Sequence, residues 1–299
     1  MPAPIALFVY NRPEHTRRVL ASLRANPEAR ESDLFVFSDG PGNTAAESAV
    51  AAVRTVLQGI EGFRTVTIRP RGENAGLAAS VIGGVGELCR SHGRVIVLED
   101  DLLLSPHFLR YMSAALDRYA DRPEVMQVAG NMFPVALETT DDALFLPFVS
   151  SWGWATWDRA WRLFDPKMGG YQRLAAERQL RRRFNLDGAY DYFGMLRRQI
   201  SGEIDSWAIG WNLSVFQAGG LVLYPRQCLV ENRGFDGSGI HCPDQEDRLS
   251  GTLDSTFDVV HFPPPSLDLA NYTRVKNFLA RQLGWRQRLK MYLSDWFPR

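Results

Sequence analysis

The chain of 299 residues contains few cysteines, few lysines and no excess charge of either sign. Cys89, Cys228 and Cys242 are odd in number and lack the paired spacing of a zinc site, so we expect three free thiols in a reducing compartment. Since 34 basic residues balance 34 acidic ones, no global basic field attracts nucleic acid. These absences argue against a disulfide scaffold, a zinc protein and a nucleic-acid-binding protein.

Long apolar runs are also absent from the sequence. No uninterrupted apolar stretch reaches the roughly 18 residues that a membrane span requires. The N-terminus enters its first apolar run without a basic region or a cleavage site of a secretion signal. We therefore expect a cytoplasmic protein.

Apolar runs and helix-period segments alternate through the first 130 residues. Strands are predicted at 5–10, 34–37, 65–68, 94–98 and 125–129, and helices at 14–25, 45–57, 77–91 and 106–118. Repeated β-α-β units of this kind predict an α/β fold with a mostly parallel, Rossmann-like sheet flanked by helices. Neither the dinucleotide fingerprint GxGxxG after the first strand nor a P-loop is present.

The pattern changes after residue 130, without a linker that would separate two domains. A tryptophan-rich segment at 150–161, a polar helical segment at 171–200 and a strand at 221–224 follow one another. We divide the chain into a nucleotide-binding half at 1–130, a second half of the same domain at 131–265 that forms the other wall of a cleft, and a C-terminal region at 266–299.

The C-terminal region is basic and amphipathic. Residues 273–299 contain seven basic residues and one acidic residue, and the apolar residues of this region recur at helical spacing. Such a helix either docks on the domain, as most apolar stripes do, or lies on the anionic inner face of a membrane. The sequence leaves both arrangements open.

Three consecutive carboxylates, Glu99, Asp100 and Asp101, end the fourth predicted strand. Ligands of open α/β sheets bind at such strand ends. Because like charges this close repel and all the ligands are oxygens, the triplet favours a divalent cation such as Mg²⁺ or Mn²⁺, which can bridge a diphosphate. A solvated acidic turn, or an acidic pair in another metal-dependent phosphate enzyme, are the alternatives.

Polar residues follow the first three predicted strands at the same edge of the sheet. Asp39 is placed to accept a hydrogen bond from a ring N–H of a bound base, although an N-terminal helix cap is the other interpretation. Arg12 is a candidate for pairing with a phosphate or base and equally suits the surface. Asn74 lies in a turn that leads into a helix.

Eight segments, taken in order, resemble the GT-A glycosyltransferases of the N-acetylglucosaminyltransferase I type. They are YNRP at 10–13, SDG at 38–40, NAGL at 74–77, EDD at 99–101, GW at 153–154 with Trp161, DPK at 165–167, DSW at 205–207 and GFDGSGIH at 234–241. Together they cover roughly residues 3–245. One departure from the family is Ser206, where an acidic residue can stand, and this leaves the identity of the catalytic base open.

The resemblance implies an inverting, metal-dependent transfer of a sugar, N-acetylglucosamine, from a UDP-sugar to a hydroxyl of a glycan or lipid-linked glycan. Asp101 would carry Mn²⁺ or Mg²⁺, with Asp100 and Glu99 in support and His241 on the metal or the phosphate. The resemblance also implies that the donor contacts Arg12, Asp39 and Asn74. On the acceptor side the implied general base is Asp205, with Glu203 as the second candidate.

Tryptophans are expected to bind the acceptor, because aromatic faces pack against sugar rings. Trp152 and Trp154 alternate along an extended segment, so we expect them to face the same way with at least one in the acceptor pocket. Trp207 joins them because it lies two residues after Asp205.

Two other functions remain open from the sequence. A nucleotidyltransferase on a similar sheet would need a glycine-rich, basic loop after the first strand to hold a triphosphate, and the residues Asn11–Pro13 do not provide one. A sugar-nucleotide-binding protein without catalytic activity would retain the fold but would not need Asp205.

Overall fold

The computed structural model describes residues 2–236, 249, 251–257 and 261–283. The first half contains β1 (Ile5–Val9), α1 (Pro13–Arg24), β2 (Asp33–Ser38), α2 (Glu47–Gln58), β3 (Thr65–Pro70), α3 (Leu77–His92), β4 (Arg94–Glu99), β5 (Leu102–Leu104), α4 (Phe108–Arg118) and β6 (Val125–Ala129). The second half contains β7 (Ala143–Leu146), β8 (Trp154–Trp157), α5 (Asp158–Trp161), α6 (Tyr171–Ala176), α7 (Arg178–Phe184), α8 (Tyr192–Ile200), α9 (Trp207–Gln217), β9 (Leu221–Pro225), β10 (Val230–Asn232) and α10 (Leu269–Gln282).

Eight strands form one mixed sheet in the order β3-β2-β1-β4-β8-β6-β9-β7. The first four strands run parallel, as the repeated β-α-β pattern predicts. Strand β8 runs antiparallel to both of its neighbours, β4 and β6. Since β8 belongs to the second half of the chain and pairs directly with β4, both halves share a single sheet. Strands β5 and β10 form a separate antiparallel pair.

Helices cover both faces of this sheet, and the side chains of β1 alternate between two cores. Ile5, Leu7 and Val9 pack on the side of α1, α2 and α4, whereas Ala6 and Phe8 pack on the side of α3 and α9. This alternation is what a strand buried on both faces requires, and each large apolar side chain so buried contributes about 1.5–3 kcal/mol. The two cores hold the carboxyl ends of β1, β2 and β4 at one edge.

The polar segment at 171–200 forms the three helices α6, α7 and α8, which enclose a small core of their own. Leu174, Phe184 and Leu196 belong to this core. Arg181 is buried beside it and donates to the backbone carbonyls of Leu174 and Ala175. These hydrogen bonds make burial of the guanidinium tolerable, so the helices form a compact lobe beside the sheet.

The first part of the C-terminal region docks on the domain. Asp268 caps α10 by accepting a hydrogen bond from the backbone of Asn271 at 3.0 Å. Val275 and Leu279 are buried against the α3 face of the sheet. Residues 284–299, where the predicted amphipathic pattern continues, lie outside the described residues. Within the described ranges, no helix is long and apolar enough to cross a membrane.

Candidate active site

A cavity of about 440 Å³ lies at the carboxyl ends of β1, β2 and β4. One wall consists of these strand ends, and a second wall, which comes from the second half of the chain, is formed by α8, the segment before α9 and the segment before β8. Nine side chains predicted from the sequence line the cavity, namely Arg12, Asp39, Asn74, Glu99, Asp100, Asp101, Trp152, Asp205 and Trp207. The structure therefore brings together five of the eight segments on which the family resemblance rests, whereas Trp154, Trp161 and residues 165–167 lie outside the described cavity lining.

The guanidinium of Arg12 bridges two of the three carboxylates. Its Nη2 donates to Asp100 and, at 3.1 Å, to Asp101. The backbone N–H of Tyr10 donates to Asp100 at 3.4 Å. Burial disfavours the charge of Arg12, yet the two adjacent carboxylates outweigh burial and raise its pKa above the ordinary value.

Burial and the negative charge of the neighbouring carboxylates raise the pKa values of Glu99 and Asp100. Burial, reinforced by Asp101 and Asp100, raises the pKa of Glu99 to about 8, against the opposing effects of a hydrogen bond from Trp207 and the charge of Arg12. Burial also raises the pKa of Asp100 to about 6, although Arg12 acts to lower it. Without a ligand, the site therefore binds protons that an added cation would displace.

The space beside Asp101 suits a small cation with oxygen ligands. A Cβ placed on Gly234 would lie 2.5 Å from Asp101 Oδ2 and 3.1 Å from Asn232 Oδ1, so only glycine leaves this space open. Within the described ranges, no three His, Cys, Asp or Glu side chains converge as a complete ligand set. His241, the other predicted ligand, lies outside those ranges. The side-chain oxygens of Asp101 and Asn232 would be the described ligands of Mg²⁺ or Mn²⁺. In this structure Asp101 Oδ2 accepts from Arg12 at 3.1 Å, and Asn232 Oδ1 accepts from the backbone N–H of Gly234 at 2.7 Å.

Asp39 and Asn74 connect the loops that follow β2 and β3. The carboxylate of Asp39 accepts hydrogen bonds from the backbone N–H groups of Gly40, Ala75 and Gly76 at 2.9–3.2 Å. Asn74 donates to the carbonyl of Gly40 at 2.9 Å. Asp39 is thus not a cap of the helix that follows it, since Asn43 caps the 3₁₀ turn before α2. Its side chain holds the turn before α3 at the cavity wall.

Asp205 and Glu203, the two candidate bases, occupy different surroundings. Asp205 lines the cavity, and its Oδ2 accepts from the backbone N–H of Ala78 at 3.4 Å, in the first turn of α3. Glu203 is exposed away from the described cavity wall and accepts from Ser201 Oγ at 2.8 Å. Asp205 makes no capping bond to its own helix α9, whose N-cap is Ser206. The geometry favours Asp205 over Glu203 for any role in the cavity.

The expectation that Trp152 and Trp154 face the same way is wrong. Gly153 has a φ of +58°, a conformation that favours glycine and breaks the alternation of an extended strand. Trp152 is half-buried, packs beside Phe235 and lines the cavity. Trp154 is fully buried and stacks on Trp207, with 4.9 Å between ring centroids. Trp154 therefore packs in the core against the ring of Trp207 and has no exposed surface that could contact an acceptor.

Several cavity residues carry no signal that sequence reasoning could have used. They are Ser80 in α3, Met195 and Arg198 in α8, Ile204 before α9, and Asn232 at the end of β10. Asn232 reaches the cavity because β10 pairs with β5, which directly follows the three carboxylates. Only such long-range pairing could have identified these residues.

No protein-family model matches the chain, and no curated protein matches it. Among solved structures, S. aureus TarS is similar at a TM-score of 0.41 and 12% identity, over 79% of this chain and 37% of that chain. Mouse xyloside xylosyltransferase 1, in its apo form, is similar at a TM-score of 0.32 and 13% identity, over 54% of this chain and 68% of that chain. This chain spans little more than a third of the TarS chain. Likeness at this level carries no argument about activity, which has to come from the site.

Proposed function

We propose that this protein is a GT-A glycosyltransferase that moves a sugar, N-acetylglucosamine, from a UDP-sugar to a hydroxyl of a glycan or lipid-linked glycan. The observation that carries the proposal is the cavity itself. It has Arg12 and three carboxylates at the ends of parallel strands, which we call the donor wall, and Asp205 with Trp152 from the second half of the chain, which we call the acceptor wall. A sugar nucleotide and an acceptor need two such walls.

The donor wall supports recognition of a nucleotide diphosphate. Arg12 is held by Asp100 and Asp101 at the strand ends, where its guanidinium can also pair with phosphate oxygens. Asp39 lies on the same wall and can accept from a ring N–H of uracil. Phe8 and Phe37, stacked at 4.9 Å between centroids, add an apolar surface beside it.

In this proposal, Asp101 and Asn232 hold Mn²⁺ or Mg²⁺, and His241 is the ligand that sequence resemblance adds. When bound, the ion neutralises the diphosphate and stabilises UDP as it leaves. The pKa values of Glu99 and Asp100 are raised first by burial and then by the neighbouring carboxylates, and a cation beside them would favour their ionised forms.

Asp205 is the proposed general base. The acceptor oxygen forms a bond to the anomeric carbon while the bond from that carbon to the phosphate oxygen breaks, and the hydroxyl proton passes to Asp205. Attack from the face opposite the leaving group inverts the configuration. Asp205 lines the same cavity as the carboxylates, and its Oδ2 accepts from the backbone N–H of Ala78 in the first turn of α3.

Binding of nucleotides tests this proposal directly. We expect UDP to raise the melting temperature more than CDP or GDP, with a larger rise when Mn²⁺ is present. A ligand at 100 times its dissociation constant stabilises a protein by about 2.7 kcal/mol. If no nucleoside diphosphate stabilises the protein with or without the metal, the proposal fails.

Product analysis then separates the two alternatives. Release of UDP from UDP-N-acetylglucosamine, with transfer to an acceptor, supports the glycosyltransferase. Consumption of a nucleoside triphosphate with release of pyrophosphate would support a nucleotidyltransferase. Tight binding of the UDP-sugar without turnover, across a panel of glycan and lipid-linked acceptors, would support a protein that only binds.

A further inference from the structure

Two side chains that line the cavity contain a buried polar atom without a hydrogen-bond partner. In the part of the chain that the structure describes, these atoms are Arg12 Nη1 and Ser80 Oγ. The other nitrogen of the Arg12 fork is already bound to the carboxylates, so Arg12 belongs to the site described above. The hydroxyl of Ser80 has no such explanation.

Ser80 occupies a position where hydrogen-bond donors are concentrated. It lies at the end of the first turn of α3, a helix of 16 residues, and is only 6% exposed. Its backbone N–H bonds the carbonyl of Gly76, which leaves the hydroxyl as its free donor. The positive end of the helix dipole adds to the attraction for an electronegative atom.

The same helix turn already binds one oxygen from another part of the chain. Asp205 Oδ2 accepts from the N–H of Ala78 and would lie 3.1 Å from a Cβ placed on Gly76. An oxygen therefore fits against this turn, and Ser80 lies two residues further along it. A buried hydroxyl without a hydrogen-bond partner is unfavourable, and a ligand oxygen that accepts a hydrogen bond from it removes this penalty.

We propose that Ser80 and the first turn of α3 form an oxygen-binding subsite for the donor, in which Ser80 Oγ donates to an oxygen of the sugar nucleotide. This inference rests on the proposed function. The oxygen belongs either to the UDP part or to the transferred sugar, because both present hydrogen-bond acceptors.

The test compares Ser80→Ala with Ser38→Ala. Ser38 Oγ is also buried and without a partner, at 1% exposure, but Ser38 is not part of the described cavity lining. Because each variant removes a buried hydroxyl that bonds nothing, neither should lower the melting temperature. We expect Ser80→Ala to weaken binding about 10-fold, as for one neutral hydrogen bond, and Ser38→Ala to leave binding unchanged.

Calorimetric titration with UDP and with UDP-N-acetylglucosamine, both in Mn²⁺, identifies the oxygen. A loss of affinity for both ligands places it on the UDP part, and a loss confined to UDP-N-acetylglucosamine places it on the sugar. Unchanged affinity for both ligands overturns the inference but leaves the proposed function standing. An equal loss in Ser38→Ala also overturns it, because the effect would then come from packing. If the unaltered protein binds neither ligand, the proposed function fails and this inference fails with it.

Discussion

The two walls of the cavity differ in how firmly their acidic residues are held. Asp39 on the donor wall accepts from three backbone N–H groups, and Asp100 and Asp101 share one guanidinium. Asp205 on the acceptor wall accepts from a single N–H at 3.4 Å. The donor wall therefore has more hydrogen bonds that fix its carboxylates in place, whereas a single long hydrogen bond holds Asp205. This difference suits tight nucleotide binding on one wall and proton transfer on the other.

The largest expected effect tests the acceptor wall. Asp205→Asn should lower kcat by about 10²–10⁴-fold, because the carboxylate that takes the proton is lost. Affinity for UDP-N-acetylglucosamine should remain within about 2-fold of the unaltered value, since the donor wall is intact. Steady-state kinetics and calorimetry measure the two quantities.

Glu203→Gln is the matched control, since Glu203 lies two residues away and outside the described cavity lining. It should retain near-normal kcat. If Glu203→Gln abolishes turnover while Asp205→Asn does not, Glu203 is the base and the assignment of Asp205 is wrong.

The second effect tests the cation on the donor wall. Asp101→Asn should keep the fold and lose the Mn²⁺-dependent part of UDP affinity, by about 100-fold, because the substitution removes a negative charge that attracts the cation more strongly than an amide oxygen does. Titration with UDP in the presence of Mn²⁺ and of EDTA measures this part.

Asp117→Asn is the control for this experiment, because Asp117 is an exposed carboxylate that pairs with Arg94 outside the described cavity. Its UDP affinity should not change. Metal-dependent UDP binding that persists in Asp101→Asn would remove Asp101 from the proposed metal site.

The third prediction tests whether Asp39 binds the nucleotide or only holds the neighbouring loops through its hydrogen bonds. Asp39→Ala should weaken UDP and UDP-N-acetylglucosamine alike, by about 10-fold, since both contain uridine. It should also lower stability by about 1–3 kcal/mol, because three N–H groups lose their acceptor. Asn43→Ala, which removes the cap of the neighbouring 3₁₀ turn, should lower the melting temperature alone. A normal dissociation constant in Asp39→Ala would restrict Asp39 to a structural role.

The smallest effect is a dependence of stability on pH that arises from the donor wall. The folded pKa values of Glu99 and Asp100 are raised to about 8 and about 6, so the folded protein binds more protons than the unfolded chain between about pH 5 and 8. Stability without metal should therefore fall by at least about 1 kcal/mol as pH rises through this window. Urea unfolding at pH 5 and pH 8 measures the change, and Glu99→Gln should reduce it. A protein that gains stability over this window would contradict the raised pKa values of Glu99 and Asp100.

Local sequence patterns were sufficient to predict the donor wall. The predicted strand at 125–129 has the bounds of β6, and the predicted strands at 5–10 and 34–37 each lie within one residue of β1 and β2. Parallel strands joined by helices place their carboxyl ends at one edge, so Arg12, Asp39 and Asp101 could be placed together from the chain alone. The residues of this wall are up to 89 positions apart, but a regular β-α-β repeat aligns the strand ends that carry them.

The acceptor wall was decided by tertiary structure. The reversal at Gly153 sends Trp152 to the cavity and Trp154 to the core, and periodicity alone cannot reveal a single positive φ. Asp205 meets the first turn of α3 across 127 residues of chain, and Asn232 arrives through the pairing of β10 with β5. Strand and helix patterns record which face of an element is buried, but they do not record which distant element covers it. For this reason the sequence by itself determined the edge of the sheet where the cavity lies, while only the packed structure decided which residues face it.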